Sequence, residues 1–141
     1  MCLYLAPRAD AASVRSNFMF SAITSDVSIR NNTSVLFGNK TISVGPFFQY
    51  EMAHSYAKDQ AFGVSLRTGE KFIYELGAGS YQKTFENING TGSLIFFLFG
   101  AKLNSILQVS ILTINKEIAG GDLEKRSLFD IYPSLGIDWA F

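Results

Sequence analysis

From about Phe18 to the last residue, apolar and polar side chains alternate one by one, and no stretch of a dozen residues keeps its apolar positions at helical spacing. Successive side chains of a strand point to opposite faces, so this period predicts an all-β chain. The last strand is the clearest. Ile131, Pro133, Leu135, Ile137, Trp139 and Phe141 share one face, and Asp130, Tyr132, Ser134, Gly136, Asp138 and Ala140 share the other. Upstream, Leu107, Val109 and Ile111 oppose Gln108 and Ser110, and residues 92–101 are apolar on both sides. Phe72, Tyr74, Leu76 and Ala78 face away from Glu75, Gly77 and Gly79, and Phe62, Val64 and Leu66 from Gly63, Ser65 and Arg67. Ile42, Val44, Pro46, Phe48, Tyr50 and Met52 oppose Ser43, Gly45, Gln49 and Glu51, and two weaker strands fall near residues 17–23 and 27–37. The pattern predicts eight strands.

The connections alternate in length. Counting back from the C-terminus, residues 115–127 form a long loop, 101–104 a short turn, 85–91 a medium loop and 68–70 a short turn; 53–60 is medium and 38–40 short. Short turns on one end and longer loops on the other are the habit of outer-membrane barrels, with the short turns periplasmic. Only residues 24–26 are shorter than that rule expects. Asn89-Gly90 is a turn signal, and Gly120-Gly121 followed by Asp122, Glu124, Lys125 and Arg126 predicts a flexible, charged outer loop.

The same alternation suits a soluble barrel turned inside out, with apolar residues inward. Composition favours the membrane sense. The chain is 48% hydrophobic and 17% charged, and its polar faces carry mostly Gly and Ser with one to three charges per strand, too few for the solvated face of a soluble sheet. Small residues instead suit the crowded interior of a narrow barrel. The longest apolar run, residues 94–99, is far below the roughly 20 residues of a membrane-spanning helix, but barrel strands cross in about 9 to 11. Equal numbers of basic and acidic residues, 12 each, give no field to attract nucleic acid.

The final segment, Ser134-Leu135-Gly136-Ile137-Asp138-Trp139-Ala140-Phe141, resembles the C-terminal assembly signal of bacterial outer-membrane β-barrel proteins. Ser134, Gly136, Trp139 and Phe141 stand at its polar, glycine, aromatic and terminal positions. At the level of pattern, residues 14–141 are most similar to the small eight-stranded barrels of the OmpA and OmpX type. The resemblance implies an antiparallel up-and-down transmembrane β-barrel in a Gram-negative outer membrane. It further implies contact with outer-membrane lipid and lipopolysaccharide, recognition by the barrel-assembly machinery, a structural, envelope-stabilising or surface-interaction role, and no open pore. Residues 1–13 are expected to be the remnant of a signal peptide or an N-terminal arm, since Ala9-Asp10-Ala11 fits a cleavage site while the apolar stretch before it is short.

Candidate chemistry is sparse. One cysteine, Cys2, and one histidine, His54, offer neither a disulfide framework nor a metal cluster. His54 and Ser55 lie beside Glu51 and Asp59, but neighbours on a strand point apart. Outer-membrane lipid A deacylases space their Ser and His two apart, whereas the residue two after His54 is Tyr56. No catalytic residue, cofactor or metal site is therefore expected. The inward faces carry Glu51, Arg67, Glu75, Gln108 and Asp138, and a network centred on Arg67 is expected to satisfy these polar groups and plug the lumen. Asp130 belongs to the same faces, and Trp139, Phe141, Tyr50, Tyr74 and Phe72 are expected outside, near the lipid boundary. Two alternatives stay open: a soluble barrel holding an apolar ligand among Phe47, Phe48 and Phe96, and an outer-membrane lipid-modifying enzyme using His54.

Overall fold

The computed structural model describes residues 13–21, 28–39, 41–52 and 57–140. Their order is β1 (Ser13–Ser21), β2 (Ser28–Gly38), β3 (Ile42–Met52), β4 (Ala57–Thr68), β5 (Phe72–Phe85), β6 (Ile88–Lys102), β7 (Leu107–Gly121) and β8 (Arg126–Ala140). Each strand pairs antiparallel with the next, so β2 to β8 make a curled up-and-down sheet of seven strands. β1 pairs with both β2 and β8 and closes that sheet into a barrel. The end carrying the β2–β3, β4–β5 and β6–β7 turns is called the lower end here, and the opposite end the upper.

Two lower turns use the same device. Asn39 Oδ1 accepts the Thr41 and Ile42 amides at 2.9 and 2.8 Å, and Asn104 Oδ1 accepts those of Ile106 and Leu107 at 2.8 and 2.7 Å. A short amide side chain thus caps backbone donors that the ladder leaves over.

The upper end departs from the loop lengths expected from sequence. The stretch 115–127 is not a long loop. β7 continues to Gly121 and β8 starts at Arg126, leaving only a short turn that begins at Asp122. Nor is Asn89-Gly90 a turn: both lie in β6, and β5 reverses at Glu86 and Asn87, with Glu86 at φ 51°. Polar residues on these segments pair across strands, so they look like loop in composition and are strand in structure. The two long hairpins also join. Asp122 N–H donates to Asn89 O at 2.7 Å, and Asn89 N–H to Asp122 Oδ2 at 3.3 Å.

Glycine sets the curvature where β4 meets β5. Gly63 and Gly79 face each other in register, and a Cβ on either would come within 2.1 Å of a backbone oxygen of the other strand. Only a residue without a side chain lets the strands coil this tightly.

The inward face is mixed rather than simply polar. β6 supplies Leu94, Phe96 and Leu98, β7 supplies Leu112 and Ile114, and Phe47 meets Phe96 edge-on with ring centroids 4.9 Å apart. β2 supplies Arg30, Asn32 and Ser34. The outward face changes character with height. Its lower part carries Phe62, Val64, Leu66, Tyr74, Leu76, Ile95, Phe97, Phe99, Val109 and Ile111, all exposed, with Phe62 65% accessible. On the same strands the upper outward positions are Lys58, Gln60, Ser80, Gln82, Thr91, Ser93, Asn115 and Glu117, also exposed. On β3 and β8 the apolar row is longer, from Ile42 to Met52 and from Phe129 to Leu135. Tyr50 is half-buried, whereas Phe72 and Tyr74 lie outside around Phe99, with centroids 6.5 and 5.1 Å from its ring. The Trp139 side chain and Phe141 fall outside the described residues, as do His54, Ser55 and residues 1–12.

Candidate functional site: an ion-paired lumen

Inward positions recur every second residue, and the barrel brings strands far apart in sequence to face one another. Arg67 on β4 meets Asp138 on β8, directly across the lumen, through two hydrogen bonds of 3.0 and 2.6 Å. The planar guanidinium matches the carboxylate in a bidentate pair, the strongest form of such a contact. Lys102 adds a second cation 3.6 Å from Asp138. Nearby, the Ser34 hydroxyl donates to Glu75 at 3.0 Å, and the Ser110 and Ser134 hydroxyls bond across β7 and β8.

A second cluster fills the upper part. Arg30 on β2 is 1% exposed and pairs with Glu51 on β3. Its Nη2 also donates to the Tyr132 hydroxyl at 3.1 Å, and its guanidinium carbon lies 4.0 Å from the centroid of that ring. Lys116 on β7 is shared by three carboxylates, with Nζ 3.4 Å from Glu51, 3.2 Å from Asp59 and 3.4 Å from Asp130. Asp59 in turn accepts the Tyr81 hydroxyl at 2.7 Å and faces Lys83 at 3.7 Å. Three cations thus meet three carboxylates, which is what makes their burial bearable.

Of the residues singled out from sequence, Glu51, Arg67, Glu75, Gln108 and Asp138 all lie buried within the barrel. Glu51, however, is not held by Arg67. Glu51 belongs to the upper cluster with Arg30 and Lys116, while Arg67 and Asp138 form the lower one. Ser134 and Gly136 also turn inward and are buried.

Sequence reasoning missed Arg30, Asp59 and Lys116 as lumen residues. The polar composition of residues 115–127 reads as loop and hides Lys116, yet Leu112, Ile114, Lys116 and Ile118 continue one face without a break. Arg30 sits on a strand whose alternation is weak because Asn31 and Thr33 are polar on its other face.

Some buried atoms have no hydrogen-bond partner: Arg30 Nε and Nη1, Asn32 Oδ1, Gln49 Oε1, Asp59 Oδ1 and Ser65 Oγ. All lie on β2, β3 and β4. Among the described residues no group of His, Cys, Asp and Glu is arranged to hold a metal ion. Compared with known proteins, the sequence matches no family model and no curated relative.

Proposed function

We propose that this chain is an integral outer-membrane β-barrel of the bacterial envelope, closed to ions and acting as a structural or surface-interaction protein. The observation that carries the reading is the outward face: large apolar side chains such as Phe62, Phe97 and Ile111 stand exposed in its lower part and give way above to Gln60, Ser80, Ser93 and Asn115. In water a continuous apolar surface of this kind is a liability; against lipid it is the required solvent contact. The upper parts of β4 to β7 would then stand in the aqueous phase or among lipopolysaccharide headgroups. Insertion of such a barrel calls for the assembly machinery of the envelope.

A soluble barrel binding an apolar ligand is the weaker reading. Phe47, Phe96, Leu94 and Leu98 occupy the middle of the lumen, where such a ligand would sit, and Phe48 points outward. The proposed role needs no catalytic step.

Envelope fractionation of the parent and two variants is the test. The parent is expected in the outer-membrane fraction, with a gel mobility that changes on boiling. Phe97→Arg, inside the apolar band, should cost about 2 to 4 kcal/mol at mid-membrane and deplete the folded form. Gln82→Arg, above the band, should leave it unchanged. A parent that stays monomeric in buffer without detergent, or equal tolerance of both arginines, overturns the reading.

A further inference from the structure

The upper mouth opens into a cavity of about 240 Å3 lined by Glu51, Asp59, Asp130, Lys83, Lys116 and Tyr132, with Ala57 and Leu128 as its apolar part. Asp59 is the incomplete member. Its Oδ2 accepts from Tyr81 and from Lys116, whereas its Oδ1 has no hydrogen bond although the residue is only 8% exposed. The charge facing Oδ1 is Lys83 Nζ at 3.7 Å, too far to donate a hydrogen bond. Lys83 is also the more exposed partner and hangs on a flexible four-carbon stem, so it can swing into water.

The charge balance says what would replace it. Arg30 is committed to Glu51, and the ammonium of Lys116 is divided among Glu51, Asp59 and Asp130. With Lys83 turned out, three carboxylates face two cations. The mouth then carries one negative charge in excess, in a recess where water screens poorly. Asp59 and Asp130 already share one ammonium, that of Lys116, and so are close enough to share a second. The lining atom left without a hydrogen bond, Asp59 Oδ1, is an acceptor beside that excess negative charge, so the occupant must bring a cationic N–H donor. Ala57 and Leu128 leave room for a short alkyl chain behind them.

We propose that the mouth is a binding site for a small alkylammonium ligand, whose ammonium replaces that of Lys83 at Asp59 Oδ1 and is held by Asp130. Lys83 is the resident placeholder, and its departure opens the site. The inference does not depend on the membrane placement, because the cluster is built by the barrel itself.

The test is an NMR titration of the folded protein with n-butylammonium chloride at constant ionic strength, in detergent micelles or in buffer if the chain needs none. Amide shifts around Asp59, Lys83, Asp130 and Tyr132 are expected to saturate, and n-butanol should move none of them. Lys83→Gln removes the competitor and should tighten binding, while the half-exposed Asp130→Asn should weaken it by about tenfold or more. Unchanged amide shifts near Gly136, at the far end, establish that each variant is folded. No saturable shift in either the parent or Lys83→Gln, or affinity unaltered by Asp130→Asn, overturns the proposal.

Discussion

Arg67 and Asp138 illustrate how little a single inward charge can do alone. Both are buried, at 7% and 9% exposure, and each satisfies the other through a bidentate contact. Removing Arg67 leaves the buried Asp138 without its bidentate partner and facing the longer, more exposed Lys102 contact, whereas replacing both Arg67 and Asp138 by apolar groups of similar size leaves neither charge buried. Arg67→Met is therefore expected to destabilise the barrel by about 3 to 5 kcal/mol, and Arg67→Met with Asp138→Leu to recover much of that loss, measured as midpoints of urea unfolding. Equal loss in the single and double variants would show that the pair contributes no coupling. Ser65 makes the opposite case. Its hydroxyl is buried and has no hydrogen-bond partner, so Ser65→Ala should raise stability by about 1 kcal/mol. A lower unfolding midpoint would mean the hydroxyl is satisfied.

At the level of elements, strand identity was legible wherever one face is apolar and the other small or polar, as in β3, β5 and β8. It failed at the upper ends of β6 and β7. There Asn89-Gly90 and Gly120-Gly121 carry turn composition, yet they pair in register as Gly90 with Gly121 and Thr91 with Gly120. Local propensity is weak beside a ladder already propagating from below. Close packing between elements can be tested at Gly77. A Cβ there would lie 2.2 Å from the Phe96 ring, a side chain that can be shortened. At Gly63 the obstacle is the Ala78 carbonyl, which cannot. Gly77→Ala should cost about 1 to 3 kcal/mol and be relieved by Phe96→Leu, whereas the same second substitution should not relieve Gly63→Ala. Refolding yields and unfolding midpoints of the four variants decide the matter.

The whole molecule is a barrel whose interior is filled in two ways. An apolar cluster around Phe96 and Leu98 packs against β7, and ion pairs join strands on opposite sides, β4 to β8 and β3 to β7. A lumen of this width is one that side chains alone can fill, whereas aqueous channels need about 16 strands. Planar-bilayer recordings are expected to show no stable conductance from the parent. Lys116→Met, which leaves three carboxylates without their shared cation, should lower stability before it opens any path. A steady, large conductance from the parent would contradict a filled lumen.

The order of residues along the chain determined which side chains share a face, because strand geometry admits only two faces and the period of two is visible from Phe62 to Leu66 or from Ile131 to Leu135. It thereby also determined that Glu51, Arg67, Glu75, Gln108 and Asp138 stand on the less apolar faces. Which of them meet was decided only by closure of the sheet. Arg67 and Asp138 are 71 positions apart, Arg30 and Tyr132 are 102, and Lys116 and Asp59 are 57. Such pairs depend on barrel width and on the register of every intervening strand, quantities that no local pattern carries. The apolar filling of β6 was hidden for the same reason: a strand apolar on both sides has one face for lipid or solvent and one for the lumen, and only its neighbours on the closed wall determine which is which.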